Sequence, residues 1–174
     1  MQAMLIIMGV RTAIPIDQYL HTSFPDLDQE YRDGALVERT LPDYLHGKVQ
    51  GLLFLFFGLL RTRLSVYPSV ETRMRIRPNV VLIPDVAVFY PTEPPLLPES
   101  PPLVVIEVLS TDDRPTAVRQ KLEEYRVWGV PHVWLVDPHS RRLYIWDSGL
   151  KEVDSLKIPD LDIEVLPRDV FDWN

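Results

Sequence analysis

Apolar residues along this 174-residue chain follow two different patterns, which separate predicted strands from predicted helices. Two nearly continuous apolar runs, at 80–89 and 103–109, are typical of strands that are buried on both faces of a sheet. Apolar residues in 43–61 and 116–128 instead recur at helical spacing. A Pro-Asp pair opens the first of these segments, and a glycine follows the second. The chain is therefore predicted to contain buried strands and two long helices.

Shorter signals complete the predicted order of elements. Asp33-Gly34, between two short segments, is a two-residue hairpin signal. The other predicted elements are a short helix at 15–21, strands at 66–76, 132–136 and 143–146, and an edge strand with a terminal turn within 163–171. The strand–helix–strand unit at 103–137 favours a parallel pair, whereas the adjacent strands within 66–89 should be antiparallel.

These elements predict an α/β fold, in which helices flank a mixed β-sheet. With 174 residues, and without an internal repeat or a low-complexity linker, the chain is expected to form a single domain, 1–174. Its core is expected at about 43–147, with an added N-terminal hairpin extension at about 15–40.

Two carboxylates lie in the apolar strands. Asp85 falls within 80–89 and Glu107 within 103–109. A buried ionised carboxylate is costly unless a partner compensates it. If the two strands are neighbours, both side chains can approach from one side, and two hard oxygen ligands with open positions suit Mg²⁺ or Mn²⁺. Each acid also has an ordinary structural explanation, because Asp after Pro is common in turns and Glu near a strand end often caps a helix.

A lysine lies on the face of a predicted helix that should pack on the core. At about 100° per residue, Lys121 falls between Ala117 and Tyr125 in the apolar arc of 116–128. An unpaired buried ammonium is costly. Two positions are therefore possible for its amine. The aliphatic part of the side chain can be buried while the amine reaches water, or the amine can reach the end of the sheet where Asp85 and Glu107 meet.

Composition excludes some chemistry and leaves other chemistry open. The chain has no cysteine, so disulfides, thiolate metal sites and cysteine nucleophiles are excluded. The net charge of −7 argues against a simple basic groove for nucleic acid. However, the formal charge of a protein with a carboxylate metal site omits the charge of the metal, so the working protein would be less acidic than the sequence indicates. The apolar segment 1–8 is a poor signal peptide, and 52–60 is too short to span a bilayer. A cytoplasmic protein without a membrane segment is expected.

Several motifs resemble the Uma2 family, also called DUF820, which is part of the PD-(D/E)xK nuclease superfamily. They are IPDVAV at 83–88, IEVLS at 106–110, KLEEY at 121–125, GVPHVWLVDP at 129–138 and, more loosely, EYRDG at 30–34 and a histidine, His46, near the start of a helix. The resemblance covers roughly residues 15–171.

The resemblance implies a restriction-endonuclease-like core and metal-dependent hydrolysis of phosphodiester bonds, with DNA as the expected substrate. Asp85 and Glu107 would carry Mg²⁺ or Mn²⁺, with the carbonyl of Val108 as a further ligand. Lys121 would orient or help to deprotonate the attacking water and stabilise charge on the phosphate. The superfamily places this lysine two residues after the Glu, where this chain has Leu109, so Lys121 would be a substitute from the helix.

Two further side chains receive candidate roles from the resemblance. The superfamily often takes an additional acid from the first core helix, but 43–61 contains no Glu. Glu30 of the hairpin is therefore the candidate replacement, with Glu38 behind it, although an exposed strand acid is the ordinary alternative for Glu30. His46 would contact a phosphate or a water, or would be satisfied by local hydrogen bonds.

Two rival functions and an assembly state remain open at this point. The same fold could serve as a catalytically inactive module that binds DNA or protein, which the acidic net charge favours. It could also hydrolyse a smaller phosphate ester. Sheet edges and four tryptophans favour a homodimer, although the tryptophans could equally be core and rim residues of a monomer.

Overall fold

The computed structural model describes residues 14–24 and 28–173, and the apolar segment 1–8 lies outside them. The helices are α1 (Ile16–Leu20), α2 (Tyr44–Leu64), α3 (Pro115–Trp128) and α4 (Pro167–Phe171), with a 3-10 turn at Pro159–Leu161. The strands are β1 (Glu30–Arg32), β2 (Ala35–Val37), β3 (Tyr67–Val70), β4 (Met74–Arg77), β5 (Val80–Leu82), β6 (Val86–Phe89), β7 (Val104–Val108), β8 (His132–Asp137), β9 (Arg142–Trp146), β10 (Leu150–Val153), β11 (Leu156–Ile158) and β12 (Ile163–Val165).

The strands form a six-stranded sheet in the order β10-β9-β8-β7-β6-β3, a four-stranded sheet in the order β2-β1-β5-β4, and the β11-β12 hairpin. β7 and β8 are parallel and are joined through α3, with Val104 opposite His132. Their neighbours β6 and β9 are antiparallel to them. The predicted α/β fold with a mixed sheet flanked by helices, the parallel pair and the N-terminal hairpin are confirmed.

Two predicted strands are each divided between the two larger sheets. β3 and β6 pair in the six-stranded sheet, whereas β4 and β5 pair in the four-stranded sheet. The second division falls at Ile83–Pro84–Asp85, where proline has no N–H to donate to a strand ladder. Asp85 therefore lies in a bend between β5 and β6, and the prediction of a continuous strand at 80–89 was wrong.

The helices α2 and α3 cover opposite faces of the six-stranded sheet. Alternation along β7 directs Ile106 into the α2 core with Phe57 and Trp134. Val105 points the other way, into the α3 core that also contains Leu122. The next residue with the orientation of Val105 is Glu107, so this carboxylate faces α3.

The helix α2 buries only part of the helically spaced apolar set in 43–61, including Val49, Leu52 and Leu53. Leu45 and Leu59 also belong to this helically spaced set, but they are 40% and 74% exposed, whereas Phe57, which lies outside the set, is fully buried. Because the helix is apolar on several faces, spacing alone does not select the face that packs. Neither α2 nor any other described helix combines the length and hydropathy that a membrane span requires.

The C-terminal part is more structured than predicted. β10 extends the six-stranded sheet, and β11, β12 and α4 contribute buried residues to the α2 core. The four tryptophans have separate environments. Trp134 is buried, Trp128 and Trp146 are half-buried against the α3 core, and Trp173 is 64% exposed. This distribution favours core and rim positions for three of them, and the homodimer stays a prediction.

Gly129 ends α3 in a backbone conformation that side chains disfavour. Its φ is 107°, and its N–H donates to the carbonyls of Arg126 and Tyr125. Gly129→Ala is expected to lower the free energy of unfolding by about 1–2 kcal/mol. Gly51→Ala, within α2 and with open space at its Cβ position, is the matched control and should raise it by about 0.5–1 kcal/mol. Urea unfolding measures both values. Equal stability of the two variants would contradict the left-handed backbone conformation of Gly129.

Candidate active site

A pocket of about 450 Å³ lies between the N-terminal hairpin, the bend before β6, the end of β7 and α3. The predicted site residues all line it: Glu30, His46, Asp85, Glu107, Val108 and Lys121. They come from β1, the first turn of α2, the bend, β7 and α3. The tertiary fold thus brings every predicted site residue to one place.

The break between β5 and β6 frees the main chain of Ile83 to bind two of these side chains. The N–H of Ile83 donates to Glu30 Oε1 at 3.2 Å. The carbonyl of Ile83 accepts from Lys121 Nζ at 2.9 Å. The interruption at Pro84 therefore supplies polar backbone groups inside an otherwise apolar region.

Lys121 directs its amine at the acids. Nζ lies 2.7 Å from Glu30 Oε1 and 2.9 Å from Glu107, and the side chain is only 15% exposed. Burial by itself would lower the pKa of Lys121, but Glu107 and Glu30 raise it above its ordinary value. The lysine is therefore charged and paired. The sequence left open whether the amine reaches water or the acids at the end of the sheet. In the structure, the amine contacts the acids. Its helical neighbour Ala117 is exposed and lines the pocket.

Glu107 is an acid whose charge is incompletely compensated. Its Oε1 accepts from the hydroxyl of Tyr125 at 2.9 Å, in addition to its contact with Lys121. Burial raises the pKa of Glu107 to about 7, with Lys121 opposing the shift and Asp85 and Glu30 adding to it. Positive charge brought into the pocket would therefore favour the ionised form of this carboxylate.

Asp85 stays ionised because several donors surround it. Its Oδ1 accepts from Arg39 Nη2 at 2.9 Å and lies 3.4 Å from His46 Nε2, and its Oδ2 accepts from the N–H of Val108 at 2.7 Å. Burial pushes the pKa of Asp85 upward, but the hydrogen bond and charge of His46, followed by Lys121 and the Val108 N–H, hold it below its ordinary value.

His46 is held at both ring nitrogens. Nδ1 lies 3.0 Å from Ser110 Oγ, and Nε2 faces Asp85. Its main-chain N–H donates to the carboxylate of Asp43, which caps α2. Burial lowers the pKa of His46, whereas the hydrogen bond and charge of Asp85 raise it, with a net increase. The contact of His46 with a phosphate or a water stays a prediction.

Arg32 attaches the N-terminal hairpin to α3. Its guanidinium contacts Glu124 and lies 3.4 Å from Glu30 Oε2. Glu30 itself is 4% exposed, so the ordinary alternative of an exposed strand acid was wrong. Glu38 lines the pocket, but Glu30 is the hairpin acid that pairs with Lys121.

Three side chains that had no predicted role contact the predicted residues, namely Arg39, Ser110 and Tyr125. Tyr125 had a detectable signal, because it lies one helical turn after Lys121 on the same face. Ser110 is part of the IEVLS segment but had no predicted role. Arg39 had no signal, since it reaches Asp85 across 46 positions of the chain.

Asp85 and Glu107 have the chemistry that a hard divalent cation requires. Both are buried carboxylates that line one pocket, and Mg²⁺ is commonly bound through one or two carboxylates together with water and substrate oxygens. Within residues 14–24 and 28–173, no three His, Asp or Glu side chains are arranged to hold a metal ion together. Asp85 and Glu107 are therefore the two buried carboxylates that could bind such a cation, and the Val108 carbonyl as a further ligand stays a prediction.

Comparisons with known proteins agree with the motifs. The Uma2 family profile, described as "Putative restriction endonuclease", matches residues 16–171. A crystal structure of "a putative nuclease belonging to DUF820" from Anabaena variabilis ATCC 29413 is similar, with a TM-score of 0.77, 19% identity, and coverage of 91% of this chain and 97% of that chain. At this identity the similarity shows the fold, and it confirms the expected restriction-endonuclease-like architecture. No match was found among curated proteins. Because the family profile spans almost the entire described chain, the protein belongs to the Uma2 family.

Proposed function

We propose that this protein is an endonuclease that depends on a divalent cation, Mg²⁺ or Mn²⁺, and hydrolyses phosphodiester bonds of DNA. One observation supports it above the others. Lys121 reaches Glu107 from a different element, at 2.9 Å, in the same pocket as Asp85. Two carboxylates can bind a divalent cation and a nearby lysine can stabilise charge on the phosphate, and metal-assisted phosphodiester hydrolysis can use both contributions.

Each side chain has a role that its contacts support. Asp85 and Glu107 would bind the cation. When bound, the cation would act as a Lewis acid on the phosphate and would activate a water molecule. Lys121 is fixed by Glu30 and by the carbonyl of Ile83, so its charge is pre-oriented towards the pocket. It would stabilise the charge that develops on the phosphate, because an ordered cation in a partly dry site needs little reorganisation.

The charge of the pocket favours a reaction that needs a cation. Its lining residues include seven carboxylates and four basic side chains. A phosphate diester would be repelled by this excess of negative charge, and a divalent cation would reduce the repulsion. The acidic net charge of the chain is therefore compatible with a nucleic acid as substrate.

Asp85→Asn is expected to lower cleavage of plasmid or single-stranded DNA at least about 100-fold in Mg²⁺ or Mn²⁺, because it removes a charged ligand of the cation. EDTA should abolish cleavage by the wild-type protein. The measurement is an initial rate on gels with each substrate and each metal. Asp154→Asn is the matched control, because Asp154 is an exposed acid that does not line the pocket.

Cleavage that survives Asp85→Asn would contradict the assignment of this site. If the wild-type protein bound DNA but cleaved neither substrate in either metal, the inactive binding module would replace the nuclease. If it hydrolysed only a small phosphate ester, the esterase alternative would replace it.

A further inference from the structure

Arg39 occupies a position that a bound cation would contest. It lies in the segment between β2 and α2, and its Nη2 donates to Asp85 Oδ1 at 2.9 Å. Asp85 has few acceptor positions left, since its Oδ1 also faces His46 and its Oδ2 accepts from the N–H of Val108. A cation that binds Oδ1 must therefore compete with the guanidinium.

The charge of Arg39 acts on the whole acidic pocket. Burial lowers the pKa of Arg39, but Asp85 and, after it, Glu107, Glu71 and Glu30 raise it above its ordinary value. Its side chain is 12% exposed. Arg39 is thus a largely buried permanent cation that partly compensates the carboxylates at which a divalent ion is proposed to bind.

Arg39 is easier to displace than Lys121. Lys121 projects from a regular helix and has three acceptors, in Glu30, Glu107 and the carbonyl of Ile83. Arg39 projects from a segment that is neither helix nor strand. A second carboxylate is within reach, because Arg39 Nη1 lies 3.7 Å from Glu71 Oε2, whose side chain is 41% exposed. The guanidinium can therefore leave Asp85 and remain near the pocket.

We propose that Arg39 is an exchangeable counter-cation. It pairs with Asp85 in the cation-free protein, leaves Asp85 when a divalent cation binds, and then contacts the phosphate of the substrate. A guanidinium suits the second role because its fork of donors matches phosphate oxygens. This inference rests on the proposed function, because it requires a divalent cation at Asp85.

The first test measures binding of Mn²⁺ alone by calorimetric titration to the wild-type protein, Arg39→Gln and Arg39→Lys. Arg39→Gln should bind Mn²⁺ about tenfold more tightly, since the competing charge is gone. Arg39→Lys, with a cation that lacks the forked donors, should lie between the other two. Arg142→Gln is the control, because Arg142 is 55% exposed and pairs with Glu152 at a distant sheet edge.

The second test measures binding of a labelled single-stranded oligonucleotide in Ca²⁺ by fluorescence anisotropy. Arg39→Gln should bind about tenfold more weakly than wild type, because a phosphate contact is lost. Equal affinity of both proteins for the oligonucleotide would overturn the phosphate contact.

The outcomes of the Mn²⁺ titration separate the two proposals. If wild type and Arg39→Gln bind Mn²⁺ equally, or the variant binds it more weakly, the exchange is overturned while a cation-dependent nuclease still stands. If neither protein binds Mn²⁺, the proposed function and the exchange both fail. Should Arg39→Gln not fold, as judged by circular dichroism, the expected increase in Mn²⁺ affinity of Arg39→Lys over wild type decides the question.

Discussion

Lys121→Ala is expected to lower the free energy of unfolding by about 3–5 kcal/mol at pH 8 and to reduce DNA cleavage at least about 100-fold. The substitution leaves Glu30 and Glu107 buried without their shared partner, and a buried unpaired charge is far more costly than an exposed one. At pH 5.5 the loss of stability should be smaller, because Glu107, whose pKa burial raises to about 7, is then protonated and leaves no uncompensated charge.

Urea unfolding at the two pH values and a plasmid cleavage assay measure these effects. Lys157→Ala is the matched control, since Lys157 is 60% exposed and pairs with Glu164 at 3.1 Å. It should change stability by less than about 1 kcal/mol and leave cleavage unchanged. A Lys121→Ala protein as stable as wild type at pH 8 would mean that the ammonium is not the partner of the buried acids.

Glu107→Gln is expected to change how the free energy of unfolding depends on pH, and to reduce activity about as strongly as Lys121→Ala. Burial raises the pKa of Glu107 from its ordinary value of 4.5 to about 7, so the folded protein binds this proton more tightly than the unfolded chain. The contribution of Glu107 to stability therefore falls as the pH rises from 4.5 to 7. The amide variant, which does not titrate, avoids this loss of roughly 3 kcal/mol.

The stability difference between Glu107→Gln and wild type should therefore grow in favour of the variant across this pH range and stay constant above it. Urea unfolding of metal-free protein at pH 4.5, 6 and 8 measures the difference. Cleavage at pH 8 should fall at least about 100-fold, because Glu107 is a proposed ligand of the cation and the amide carries no charge. Glu152→Gln, at a 55% exposed carboxylate, is the control. A difference that does not change with pH would contradict the raised pKa of Glu107.

Local patterns predicted most of the regular structure and the chemistry of the site. Helix α3, the parallel pair around it and the hairpin at Asp33-Gly34 follow from periodicity and turn residues over short stretches. Asp85, Glu107 and Lys121 stood out because burial is costly for any charge, whatever the fold around it. Their identification needed only the apolar residues beside each of them.

The sequence by itself thus determined the element types, the α/β class and three charged residues that needed compensation. Only the tertiary structure decided that the strand containing Asp85 bends into two sheets, that Glu30 pairs with Lys121, and that Arg39 is the partner of Asp85. Periodicity indicates which face of one element is apolar. It does not indicate which charged residue from a distant part of the chain forms an ion pair there, because ion pairing between elements depends on how the elements pack.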